Sequence, residues 1–268
     1  MGVQGVMFRR ALFDARKGIA GWGLALGGLG LMMMVMFPQI EGMLEAFGPL
    51  LESPMIKSMV GDVAQFASLE GFLGIKLFSM MPLMLGVYVV LFALGMVAGE
   101  EEKGTLDVLL STPTPRWRVI GEKFGALLVA VLVILLIFAV GLVAGLLTLP
   151  DATLTVGALL VAVLNMLPVT LFIAALTLLL SVVLRSRNTA GGVAAALLAA
   201  SYFMTTLGDM VDGPLGKIKY LSFFQYYDGT NVLTTGVNWA GFVGLLIVAG
   251  LLVALSVYFF EQRDLVGG

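Results

Sequence analysis

The sequence predicts an all-α membrane protein with six transmembrane helices, and two observations support this fold class. Of the 268 residues, 60% are hydrophobic and only 12% are charged, which is about half the charged fraction of a soluble domain. Several apolar runs also reach the ~20 residues that an α-helix needs to cross the hydrocarbon core of a bilayer. A transmembrane β-barrel would instead show alternating segments of ~10 residues, and the sequence contains no such pattern.

Six apolar runs define the predicted spans of a single transmembrane domain that covers residues 1–268. The first span is expected to end at Pro38, because proline lacks the N–H that the interior of a helix requires. The fourth span contains Pro168 in its interior. The predicted spans are 18–37, 72–98, 124–149, 156–184, 189–207 and 239–260.

The segment that precedes the first span is amphipathic. Its apolar residues recur at helical spacing, whereas its cations occupy other positions. The apolar residues are Phe8, Leu12, Ala15 and Ile19, and the cations are Arg9, Arg10, Arg16 and Lys17. This pattern predicts an interfacial helix whose cations lie near anionic lipid headgroups. A plain basic leader that only orients the first span is the alternative.

Two further segments between the spans are too polar to cross a bilayer. Residues 39–70 are acidic with apolar positions at helical spacing, which predicts an interfacial helix broken near Pro49 or Pro54. Residues 208–238 are rich in Tyr and Phe, and tyrosine favours the boundary between membrane and water. This second segment therefore predicts short re-entrant or interfacial helices before the last span.

The cations predict that both termini lie in the cytoplasm of a multi-pass protein of the cell membrane. With six spans and the N-terminus inside, most of the 15 Lys and Arg residues fall in cytoplasmic segments, as the positive-inside rule requires. The opposite side holds Lys57, Lys217 and Lys219. The cytoplasmic cations are Arg9, Arg10, Arg16, Lys17, Lys103, Arg116, Arg118, Lys123, Arg185, Arg187 and Arg263.

The composition argues against catalysis within this chain. There is no Cys and no His, which removes thiolate chemistry and the commonest general base and metal ligand. The sequence also lacks the G-x-x-x-x-G-K-[ST] loop that cradles nucleotide phosphates, and its net charge of −2 does not suggest a nucleic-acid partner. We therefore expect no cofactor or metal here and expect any ATP hydrolysis to occur on a partner subunit.

The longest charged segment of the chain separates the second predicted span from the third. Gly104 can end one helix, and the hydroxyl of Thr105 can cap the next by accepting an orphan backbone N–H. Pro115 suits the first position of a further helix, where its missing N–H costs nothing. The other residues that we single out in this segment are Glu100, Glu101, Glu102, Leu106, Leu109, Leu110, Pro113, Arg116 and Arg118.

These features predict a short cytoplasmic helix, held between two spans, that presents an apolar ridge and charged groups to a partner protein. The ridge is formed by Leu106, Leu109 and Leu110. The alternative is a solvated loop with anchors at the interface, because runs of charge are usually solvated. The residues alone leave both interpretations open.

The pattern Glu100-x-x-x-Gly104-Thr105-Leu106-Asp107-x-Leu109-Leu110-Ser111-Thr112-Pro113, followed by Arg116 and by Gly121-x-Lys123-Phe124, resembles the signature of type-2 ABC exporter permeases. The similarity extends over most of the chain, from the amphipathic leader to the closing Glu261-x-Arg263-Asp264-Leu265. The resemblance implies a homodimer of permeases bound to two cytoplasmic ABC ATPase subunits, which carry the ATP and Mg²⁺. It also implies that Leu106–Leu110 are a coupling helix seated on the ATPase, with Glu100 and Arg116 as gate or docking residues.

Polar groups inside the predicted spans are further candidates, because they are costly in a membrane and often functional. Lys76 lies one turn into the second span, where its side chain can snorkel to the outer surface; a substrate contact is the alternative. Asn165 in the fourth span is expected to stabilise helix packing by a hydrogen bond. Several G-x-x-x-G patterns, such as Gly23 with Gly27 and Gly141 with Gly145, also predict close helix packing.

We expect this chain to be the permease of an ATP-driven exporter, with alternating access driven by separate ATP-binding subunits. A mostly apolar path suits a hydrophobic or lipid-like substrate within the membrane. One alternative is a secondary transporter or channel that works without an ATPase, but such proteins usually place ionisable residues at the membrane midplane, and the spans offer only Lys76. Another alternative is a membrane assembly protein without transport activity.

Overall fold

The computed structural model describes residues 5–46, 68–97, 99, 115–150, 152–184, 186–211 and 213–262. Within these ranges the regular structure is helical throughout and contains no strand, which confirms the all-α fold class. The same ranges contain six helical segments that are long and apolar enough to cross a membrane.

The described helices follow one another along the chain with short connections. The α-helices are α1 (Val6–Ala46), α2 (Leu69–Leu73), α3 (Met81–Met96), α4 (Arg116–Leu146), α5 (Val156–Leu184), α6 (Arg187–Met210) and α7 (Trp239–Glu261). A π-helical turn, Gly74–Phe78, connects α2 to α3. Two 3₁₀ helices, Leu215–Leu221 and Phe223–Tyr226, precede α7 and are called the 3₁₀ pair below. They confirm the prediction of short helices before the last span.

The first helix differs from the prediction in two respects. The amphipathic leader is helical, but it is continuous with the first span and is not a separate element. The helix also runs through Pro38 to Ala46, because the bonding that proline removes can be replaced by neighbours in a packed membrane helix. With 41 residues, α1 is about 61 Å long and exceeds the ~30 Å of a hydrocarbon core. The predicted break near Pro49 or Pro54 lies outside the described residues.

Two other predicted spans also differ from the observed helices. The second predicted span is interrupted by the π turn between α2 and α3. Helix α4 begins at Arg116, eight residues before the predicted span at 124, because its charged first two turns are helical and contact other helices. The fourth span was predicted at the bounds of α5.

Glycines bring α1 and α4 together along their length. A Cβ on Gly27 would lie 2.8 Å from the carbonyl oxygen of Ile137, and a Cβ on Gly141 would collide with the backbone of Gly27. Gly145 faces the side chain of Met34 in the same way. The two helices are parallel, since contacts advance along both chains together. The G-x-x-x-G patterns at 23–27 and 141–145 therefore serve packing within one chain.

Helix α5 lies at the centre of the bundle, where it packs against α3, α4, α6 and α7. Its buried hydroxyls donate to the carbonyl one turn earlier, from Thr170 to Met166 and from Thr177 to Ile173, both at 2.8 Å. Bonds of this kind satisfy a hydroxyl inside an apolar core without a partner on another helix. The largest buried side chains around α5 include Phe78 and Phe138, whose rings meet edge to face at 6.1 Å.

The bundle has two ends, which we name after a residue at each. The Arg116 end contains Gly5, the last residues of α3 and α7, and the start of α4. The Lys76 end contains the π turn and the segment before α7, which meet where the backbone of Thr230 lies against Gly74. Tyr227 at this end donates a hydrogen bond to the carbonyl oxygen of Phe78 at 3.1 Å.

Candidate functional site

Most of the predicted coupling residues lie outside the described part of the chain. Those outside it are Glu100, Glu101, Glu102, Gly104, Thr105, Leu106, Leu109, Leu110 and Pro113. The described members of the set are Arg116 and Arg118, at the start of α4. Pro115 has an extended backbone and immediately precedes the helix, which places the helix start within one residue of the prediction.

Arg116 binds the C-terminal end of the last helix. Its Nη1 atom donates to the carbonyl oxygens of Phe260 and Glu261, both at 3.0 Å. Carbonyls in the last turn of a helix have no partner within the helix, and the helix dipole favours a positive charge beside them. Arg116 therefore joins the start of α4 to the end of α7, although 144 residues of sequence separate it from Phe260.

Lys123 binds the end of α3 from within the bundle. The residue is only 5% exposed, and its Nζ atom donates to the carbonyl oxygen of Met96 at 2.6 Å. A buried ammonium group is costly unless it is hydrogen-bonded, and Met96 is the last residue of α3. Lys123 thus uses its charge to satisfy a helix terminus.

Glu122 binds the beginning of α1. Its carboxylate accepts hydrogen bonds from the backbone N–H groups of Gly5 at 3.2 Å and Phe8 at 3.4 Å. The same carboxylate accepts from Nε of Arg118 at 3.0 Å, one turn earlier on α4. A negative charge at a helix N-terminus has the favourable sign for the helix dipole. Glu122 therefore anchors the amphipathic leader to α4.

Together, Arg116, Arg118, Glu122 and Lys123 form what we call the helix-end cluster. In the first two turns of α4 it connects this helix to the end of α7, the end of α3 and the beginning of α1. Each contact pairs a charge with the helix terminus of opposite polarity. A displacement of the base of α4 would therefore act on three other helices, so the cluster can transmit a mechanical movement.

The sequence prediction did not include Glu122 and Lys123 among the site residues. A signal for Lys123 exists in the helical spacing. Val119, Ile120, Ala126 and Leu127 lie three or four residues before and after it, and all are buried. A lysine at the centre of such an apolar face must be buried with a partner, whereas the identity of that partner depends on the tertiary structure.

Arg187 lies on the other side of the chain segment 100–114. A Cβ on Gly99 would be 3.9 Å from the Cδ and Cζ atoms of Arg187, which is the first residue of α6. Gly99 immediately precedes the three glutamates, and Arg116 follows the segment within two residues of its end. Cations thus flank both points at which the predicted coupling segment joins the described structure.

The two polar residues predicted inside spans are not part of this cluster. Lys76 is exposed in the π turn at the opposite end of the bundle. Asn165 is 6% exposed within α5, among the packed helices. Within the described residues, no group of three or more acidic side chains lies close enough together to hold a metal ion.

Comparison with known proteins identifies one family. The model of the family described as ABC-2 family transporter protein matches residues 29–265. The match includes the predicted coupling segment, the helix-end cluster and all helices after α1. No curated protein matches the chain.

Proposed function

Because this chain belongs to the ABC-2 transporter family, as a membrane permease subunit, we propose that a separate ATP-binding subunit docks on residues 100–118 and drives its movement. The observation that carries the proposal is the helix-end cluster. The predicted docking helix leads directly into Arg116, and the cluster links that point to α1, α3 and α7. Movement of a docked partner would thereby reach four helices at once.

We further propose an assembly of two permease copies, as a homodimer, with two cytoplasmic ATPase subunits. ATP and Mg²⁺ bind to the ATPases. Both termini and the Arg116 end lie in the cytoplasm, as the distribution of cations favours. ATP-driven closure of the ATPases shifts the permease between inward-facing and outward-facing states, because their contacts favour one state over the other.

The transported substrate is hydrophobic or lipid-like, and the direction is export. The cores of the described spans are lined by aliphatic and aromatic side chains, and the buried polar and charged residues of these spans are few. Such a path offers little to solvate an ion, since a charge in the membrane interior is costly without a polar partner. An apolar substrate would avoid this cost.

Co-purification tests the proposed ATPase partner. The intact protein in mild detergent is expected to bring a P-loop ATPase with it, and the double variant Leu106→Asp with Leu109→Asp is expected to lose it, because two charges would replace the apolar ridge. Leu147→Asp is the matched control, since Leu147 is 80% exposed at the opposite end of α4. Retention of the ATPase by the double variant would refute the docking site, and its absence from all preparations would refute the partnership.

A further inference from the structure

An apolar groove lies at the Lys76 end of the bundle, between the 3₁₀ pair and helices α5 and α7. Its volume is about 520 Å³, within the ~300–1,000 Å³ of small-molecule sites. The 3₁₀ pair supplies Tyr220, Leu221, Phe223 and Tyr226, α5 supplies Phe172, and α7 supplies Ala240, Gly241, Gly244, Leu245 and Val248. From Ala240 to Val248 the groove follows α7 for about 12 Å along the helix axis.

The wall formed by the 3₁₀ pair is held firmly against α6. The hydroxyl of Ser222 lies 2.7 Å from that of Ser201, and Thr205 donates to Ser222 at 2.6 Å. The backbone N–H of Phe223 donates to the hydroxyl of Ser201 at 3.1 Å. These bonds fix the pair in place, so the groove is a preformed feature of the fold.

The groove is apolar although two tyrosines line it. The hydroxyl of Tyr226 donates to the carbonyl oxygen of Tyr220 at 3.1 Å, which satisfies that hydroxyl within the wall. One edge is open, since the side chains of Leu221, Tyr220 and Val248 are exposed. An open apolar edge beside a transmembrane helix is a place where the surrounding lipid has direct access.

A cation stands above the groove. Lys217 and Tyr220 are three residues apart in the same 3₁₀ helix, so their side chains lie on the same face, and Lys217 is exposed. The neighbouring Lys219 differs, because it pairs with Asp209 at 2.8 Å. The site thus combines a positive charge at the polar boundary with an apolar channel below it.

From this arrangement we infer that the groove binds an anionic phospholipid of the surrounding bilayer. One acyl chain occupies the groove along α7, and the negative headgroup lies beside Lys217. This amphipathic occupant matches both parts of the site, whereas an apolar helix of a second copy would leave the cation without a partner charge. The inference goes beyond the proposed function, since lipid binding at this place requires no ATPase.

The glycines of α7 allow the groove to be filled without disturbing the helix. A Cβ on Gly244 meets no atom within 4 Å, so phenylalanine at this position would extend into the groove. Gly250 on the same helix is equally open and does not line the groove, which makes Gly250→Phe the matched control. Gly241 is unsuitable, because a Cβ there would collide with the backbone of Tyr226.

Photolabelling in nanodiscs tests the inference. The probe is a phosphatidylglycerol with a diazirine in one acyl chain, compared with a phosphatidylcholine of identical chains, and labelled peptides are mapped by mass spectrometry. Label is expected in residues 220–226 and 240–248, and Gly244→Phe is expected to lower it about tenfold, while Gly250→Phe leaves it unchanged. Lys217→Gln is expected to lower phosphatidylglycerol labelling about fivefold, the effect of one lysine near an anionic lipid.

Three results would overturn the inference. Labelling that Gly244→Phe does not reduce, or label spread evenly over the exposed faces of α6 and α7, would exclude a lipid site in the groove. Cross-linking of two copies through this face, without lipid label, would assign it to a protein interface. Equal labelling by both lipids in the unmodified protein would refute the anionic headgroup.

Discussion

At the scale of single residues, this protein uses its few buried polar side chains to complete helix ends. Lys123 satisfies the last carbonyl of α3. Tyr227 performs a similar role at the other end, where its hydroxyl donates to the carbonyl oxygen of Phe78. Burial, together with the charge of Asp228, raises the pKa of Tyr227 above its ordinary value. The phenol therefore remains protonated and keeps donating at physiological pH.

Replacement of Lys123 by methionine is expected to destabilise the protein. The change removes a charge-assisted hydrogen bond and leaves the carbonyl of Met96 buried, at a cost of about 2 kcal/mol, which corresponds to a fall of roughly 5 °C in the melting temperature. Tryptophan fluorescence during heating in detergent measures it. Lys17→Met at an exposed position of α1 is the control, and equal melting temperatures would show that the buried ammonium contributes nothing.

At the scale of elements, the parallel pair of α1 and α4 depends on backbone contact between glycines. The helices approach so closely at Gly27 and Gly141 that neither position has room for a Cβ. In a membrane, such contact replaces the hydrophobic driving force that holds helices together in water. The same pair is fastened at one end by Glu122. Helix α1 therefore follows α4 over most of its length.

Alanine at position 141 is expected to separate these helices. The added methyl group would collide with the backbone of Gly27, and such overpacking costs about 1–3 kcal/mol. Gly28→Ala is the matched control, because a Cβ there meets no atom within 4 Å and alanine favours a helix by about 0.5–1 kcal/mol over glycine. Melting temperatures should thus shift in opposite directions, and a stable Gly141→Ala protein would contradict the close approach.

At the scale of the whole molecule, the two ends of the bundle differ in their chemistry. The Arg116 end carries charged groups bound to helix termini. The Lys76 end carries the 3₁₀ pair with Lys217 and the apolar groove. This asymmetry suits a protein that exchanges force with a water-soluble partner at one end and contacts lipid at the other.

Single cysteines can determine the orientation, because the chain contains none of its own. Arg10→Cys places a thiol at an exposed site toward the Arg116 end, and Lys217→Cys places one at the opposite end. A membrane-impermeant maleimide is expected to label Lys217→Cys in intact cells and Arg10→Cys only after permeabilisation. The reverse result would invert the proposed topology and place the docking segment outside the cell.

The sequence was sufficient for the properties that depend on local composition. The length and hydropathy of the apolar runs predict the six long helices and the fold class, because a span must satisfy its backbone hydrogen bonds internally. The aromatic, polar segment 208–238 predicts the short helices before α7 for the same reason. Arg116 was also identified from sequence, as part of a charged segment that continues into a helix.

The tertiary structure decided which distant groups meet, since such contacts depend on the packing of helices and not on local spacing. Pro38 was expected to end α1, yet the helix continues. Glu122 and Lys123 appear as ordinary boundary charges in the sequence, and only the arrangement of α1, α3 and α4 pairs them with Gly5 and Met96. The groove beside α7 is likewise invisible in the sequence, because its walls come from three segments that only the folded chain brings together.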